Sequence, residues 1–83
     1  MEVNKSLVEI GNKLIKLRLR NGHKSYETFA AENNLSRMQY WRIEKGKTNL
    51  TMKSLIRILA IHNVTLEEFF TMKDELVIAQ NSR

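Results

Sequence analysis

Residues 25–46 read SYETFAAENNLSRMQYWRIEKG, and the punctuation within them decides the fold. Ser25 is a favoured N-cap, since its hydroxyl can accept from a free amide of the first turn. A helix is predicted over Tyr26 to Glu32, with Phe29 and Ala30 on its apolar side and Ala31 favouring helix. It stops at Asn33-Asn34, because Asn tolerates the left-handed conformation of a helix stop. Leu35 then turns inward and Ser36 caps a second helix. Gln39, three residues on, completes a capping box, and Leu35 can staple onto Tyr40. That helix runs to about Lys45, and Gly46 ends it. Two short helices joined by so tight a turn make a helix-turn-helix.

The second helix has two unlike faces. Leu35, Tyr40 and Ile43 fall on one side at helical spacing. Arg37, Met38, Trp41, Arg42 and Lys45 fall on the others. A charged face is usually only solvated. Trp41, outside the apolar stripe and close to two arginines, suits instead a surface that becomes covered. Arginine forks match guanine edges and phosphates.

The rest of the chain supplies support. Ser6 is read as the cap of a first helix with Glu9 as its box partner, and Leu7, Ile10, Leu14 and Leu17 form its buried stripe. Asn21-Gly22 ends it. His23 is read as solvated. Thr51 caps a fourth helix, with Leu50 and Leu55 as staple and Leu55, Ile58 and Leu59 as core. His62 is read as a surface residue favoured by the helix C-terminus. Thr65 and Glu68 form the capping box of a fifth helix, Val64 staples onto Phe69, and Phe70 is read as partly exposed. The expected fold class is all-α. Four Asn-X-Ser/Thr triplets, at Asn4, Asn34, Asn49 and Asn63, are read as helix caps and not as glycosylation sites.

With 83 residues and 42% hydrophobic content, the chain suits one domain with a small core. It is divided as a helix-turn-helix domain over 1–72 and a tail over 73–83. Cysteine is absent, which excludes disulfides and thiolate metal sites. The apolar runs are too short to span a membrane, and no signal peptide is read, so a cytoplasmic protein is expected. Residues 1–63 carry twelve Lys/Arg against five acids, hence +7, and residues 64–83 carry two against four, hence −2. The basic excess therefore accompanies the helix-turn-helix, as a polyanion-binding surface requires. Ser/His/Asp order, a Gly-rich phosphate loop and His-rich metal spacing are all missing, so neither catalysis nor a metal nor a cofactor is expected.

The stretch SYETFAAENNLSRMQYWRIEKGKTNL resembles the Cro/repressor-type helix-turn-helix family, the XRE-like regulators of prokaryotes and phages. The resemblance extends over roughly residues 10–70. It is carried by FA in the scaffold helix, LSR opening the recognition helix, RIEKGK closing it and LEEFF downstream. It implies a compact five-helix, lambda-repressor-like domain that binds double-stranded DNA by sequence and regulates transcription, as a repressor. It also implies that Arg18 pairs with Glu44. By the same resemblance the base-reading positions are Arg37, Met38 and Arg42, with Gln39 and Trp41 near bases or backbone. Ser25 and Tyr26 would hold one phosphate, and Lys45, Lys47, Thr48 and Asn49 the flanking ones. Two positions depart from the pattern: the family usually has Gln where Tyr26 stands and a small polar residue where Trp41 stands.

One short helix reads only a few base pairs, so a homodimer on paired half-sites is expected. The rival reading is a protein-interaction module of the same fold. In it, the apolar run Leu76-Val77-Ile78-Ala79 of an antitoxin would cover a toxin. Alternatively that run could extend the fifth helix, pack back on the domain or pair with a second copy of the chain.

Overall fold

In the computed structural model, residues 3–72 are described. They form α1 (Val3–Arg20), α2 (Tyr26–Glu32), α3 (Arg37–Glu44), α4 (Met52–Ile61) and α5 (Leu66–Thr71), with no strand among them. Ser25, Ser36, Thr51 and Thr65 each cap a helix by accepting from the backbone amide three residues on. At Thr65 the capping box is complete. At Ser36 only half of it forms. The Ser36 hydroxyl accepts from the Gln39 amide at 3.3 Å, while the Gln39 side chain stays out on the exposed face.

Ser6 is not a cap. It lies inside α1, whose described part begins at Val3. Once a turn is nucleated, each further residue adds a hydrogen bond, so Asn4 and Lys5 join the helix although Ser6 could have started it.

Four of the described helices end alike. Gly22, Asn34, Gly46 and Asn63 take positive φ (87°, 58°, 70° and 59°). The amide of the residue after each returns to a carbonyl five residues back: His23 to Arg18, Leu35 to Ala30, Lys47 to Arg42 and Val64 to Leu59, all at 2.8–3.0 Å. These are Schellman stops, in which a left-handed residue turns the chain and satisfies the last carbonyls. Leu35 and Val64 carry the accompanying apolar contact and pack against the core.

The core is centred on Phe29 of α2, which is fully buried. Its ring meets Tyr40 of α3 at 5.2 Å, His23 edge-on at 5.1 Å, and His62 stacked at 5.1 Å. Leu14, Leu17, Leu55, Ile58, Leu59 and Phe69 close the core around it. Both histidines therefore depart from the sequence reading. His62 is 8% exposed, and the Asn21 side-chain amide lies 2.8 Å from its Nδ1. Burial, with the nearby His23 charge adding to it, holds the His62 imidazole below the ordinary histidine value. His23 is half-buried against Phe29 and not free in solvent. An aromatic face next to a histidine ring outweighed its polarity.

α3 lies against both α1 and α2. Gly11 makes the α1 contact close: a Cβ there would stand 2.8 Å from the Ile43 carbonyl and closer still to that of Glu44. Lys13, also on α1, donates to the Phe69 carbonyl at 3.1 Å and lies over the Phe69 ring, which ties α5 to α1.

Candidate nucleic-acid interface

The inner side of α3 is fixed by one buried ion pair. Arg18 Nε lies 2.7 Å from Glu44 Oε2, and Nη2 lies 3.1 Å from Oε1, a two-pronged match. Nη1 donates to the carbonyls of His23 and Lys24, both at 2.8 Å. Thus one guanidinium joins α1, the α1–α2 loop and the end of α3. Burial opposes its charge, but the hydrogen bond and charge of Glu44 outweigh that and hold Arg18 above its ordinary value. The Tyr40 hydroxyl is buried beside this pair and, among the described residues, has no hydrogen-bond partner. Burial first, then the Glu44 carboxylate, pushes that phenol well above the ordinary range.

Tyr40, Ile43 and Glu44 turn inward, and the opposite side of α3 faces out. Arg37, Met38, Gln39 and Arg42 are exposed, Met38 by 59%. Trp41 is half-buried and not fully outside. It lines a hollow of about 540 Å³ with Tyr26, Glu27, Ser36, Arg37 and Met38. Arg37 Nη1 stands 3.9 Å from Glu27 Oε2 across this hollow, and both side chains are more than half exposed. Such a pair holds weakly.

A second hollow of about 740 Å³ lies at the other end of α3, lined by Lys45, Gly46, Lys47, Thr48 and Asn49 together with Asn4, Leu7 and Val8 of α1. The structure thus gathers the four expected phosphate-binding residues after α3 into one place. Ser25 and Tyr26 sit apart from these, at the start of α2. Sequence reasoning missed Asn4 and Glu27. Asn4 was assigned to a stretch ahead of the first helix, and Glu27 meets Arg37 only through the turn. That turn is held by Arg57 of α4, whose Nη2 donates to the Asn34 carbonyl at 3.0 Å.

A helix-turn-helix family model matches residues 14–69, from the middle of α1 into α5. The chain belongs to the helix-turn-helix family of DNA-binding regulators. Relatives within reach of this helix-turn-helix domain include the control protein C.MunI of Mycoplasma sp. It is 41% identical over 69 residues, covering 83% of this chain and 93% of that protein. The plasmid copy control protein CopR of Streptococcus agalactiae is 44% identical over 50 residues, covering 60% of this chain and 54% of that one. Among solved structures, the restriction-modification controller protein C.AhdI of Aeromonas hydrophila superposes with a TM-score of 0.73 at 26% identity. That match covers 84% of this chain and all of the other. None of the described helices is long and apolar enough to cross a membrane.

Proposed function

We propose that this regulator inserts α3 into the major groove of double-stranded DNA and represses transcription from the site it selects. One observation carries the reading. The Arg18–Glu44 pair and Tyr40 anchor one side of α3 in the core, and the opposite side presents Arg37, Met38, Gln39 and Arg42, exposed among the described residues. A helix held rigidly by one face and bare on the other is what groove reading needs. Arg37, Met38 and Arg42 then face base edges, while Gln39 and Trp41 flank them. Lys45, Lys47, Thr48 and Asn49 grip phosphates at one end of α3, and Ser25 and Tyr26 at the other.

The domain acts as a homodimer, since eight residues of helix read too few base pairs alone. A shallow apolar hollow between α4 and α5, lined by Ile56, Leu59, Ala60, Val64 and Leu66, offers a face for the second copy. Residues 73–83, on which both the self-association and the toxin-covering readings of Leu76–Ala79 fall, lie outside the described residues. The regulator reading involves no catalytic step, metal or cofactor.

Selection from random duplex DNA tests the function. A short motif repeated as two half-sites about one helical turn apart is expected. Recovery of unrelated sequences, bound equally well, would sink the reading. Sedimentation of the full chain tests the dimer: a monomer at high concentration rules out self-association without DNA.

A further inference from the structure

The two hollows beside α3 differ in kind. The one at its C-terminal end carries the cations Lys45 and Lys47 with Thr48 and Asn49, beside Leu7 and Val8 of α1. The one at its N-terminal end has aromatic and thioether walls from Tyr26, Met38 and Trp41. Its two charges, Glu27 and Arg37, face each other 3.9 Å apart and cancel. Together with the Tyr26 and Ser36 hydroxyls they form the polar part of its lining. The rest of the lining, the exposed Met38 thioether and the Trp41 indole, is apolar and suits an apolar group. On the major-groove side of a duplex, one group meets that description: the methyl on C5 of a pyrimidine.

We infer that this hollow seats a pyrimidine C5-methyl group, carried by thymine or by 5-methylcytosine, which makes Met38 and Trp41 determinants of sequence choice. The inference rests on the major-groove reading above and adds the chemistry that one part of the helix recognises. Met38 offers a flexible, polarizable chain that closes over a small group. Trp41 supplies a flat wall behind it. Arg37, at the rim, remains free to leave its weak pair with Glu27 for an adjacent base or phosphate. An unmethylated cytosine would leave Met38 and Trp41 without that apolar contact.

The test uses the full chain and the duplex recovered by selection. Each thymine is replaced in turn by deoxyuridine, which keeps every hydrogen-bonding group and loses only the methyl. One thymine per half-site is expected whose replacement weakens binding about fourfold, the value of one buried methyl-sized group. That loss should vanish in Met38→Ala and in Trp41→Ala. Met38 is well exposed, so Met38→Ala decides the matter if the Trp41 variant fails to fold. At the same position a 5-methylcytosine·guanine pair should bind more tightly than a cytosine·guanine pair, which separates the methyl from the thymine carbonyl.

Suppose every deoxyuridine duplex binds within about twofold of the original while the selected sequence is still preferred. Then the hollow does not read a methyl, although the groove reading stands. A loss that persists undiminished in both variants places the methyl against other residues and overturns the inference. Absence of any sequence preference removes the groove reading itself.

Discussion

Arg18 joins several elements, because its guanidinium makes four hydrogen bonds, to a carboxylate and two loop carbonyls at once. Glu44→Ala would strand that cation in a buried site and is expected to lower stability by about 3–5 kcal/mol. Urea denaturation followed by circular dichroism checks it. Replacing both partners, as Arg18→Met with Glu44→Leu, should recover part of the loss, since no buried charge is left. Recovery stays incomplete because the carbonyls of His23 and Lys24 lose their donor. An unchanged urea midpoint for Glu44→Ala would show the pair to be irrelevant to stability.

His62 argues a second prediction at the same scale. Its folded-state value is depressed below the ordinary 6.5. As pH falls through 6.5, the unfolded chain takes up a proton that the folded chain refuses, so stability falls. The contribution is fully present above 6.5 and is lost as pH drops towards the folded value. Urea midpoints at neutral pH and about one unit below 6.5 should differ for the parent and differ less for His62→Gln. Equal slopes for the two proteins would mean that another group titrates. This buried role was not legible in the sequence. A histidine at a helix end looks polar until the Phe29 ring that covers it, 33 positions earlier, is placed.

At the scale of the element, the chain was largely legible because α2, α3 and α4 are marked at both ends. Ser25, Ser36, Thr51 and Thr65 start them, and Asn34, Gly46 and Asn63 stop them with positive φ. Those signals act within a few residues, and local signals survive into the fold. Ser6 misled for the same reason: it is a competent cap that the longer helix overran. Trp41 lies outside the apolar stripe as its spacing predicts, but its half-burial depends on α2 coming alongside across the turn, where Tyr26 lines the same hollow. Gly11 escaped notice because only the crossing of α1 and α3 shows why a side chain cannot fit there. A prediction follows from the shared stop. Asn63 is exposed, so only its backbone conformation is at stake. Asn63→Ala should destabilise by about 1 kcal/mol and Asn63→Gly should not, since glycine meets no steric penalty at positive φ. Thermal melts of the two variants decide it, and equal losses would refute the account.

Across the whole molecule, charge and shape divide the labour of binding. On the proposed reading, the basic excess of residues 1–63 draws in a polyanion from any direction, and the α3 surface chooses among sequences once contact is made. Arg42 and Lys47 belong to the two halves of this division. Arg42→Ala should weaken binding to the preferred site by about 1–3 kcal/mol and relax the choice of base at one position. Lys47→Ala should weaken all sequences alike and reduce the salt dependence by about one unit of slope. Affinities measured on preferred and random duplexes across a salt series separate the two. Equal losses on every sequence from both variants would make the basic face a nonspecific grip.

Trp41 is the only tryptophan in the chain, and it stands in an outer hollow and not among the core rings. Its indole is therefore a built-in fluorophore placed at the surface proposed to meet the ligand. Unfolding and docking would alter its emission differently. Loss of the fold bares the ring to water, whereas a neighbouring base brings a quencher against it. Each molecule of this protein carries its own optical reporter, with no dye to attach and no second indole to obscure the signal.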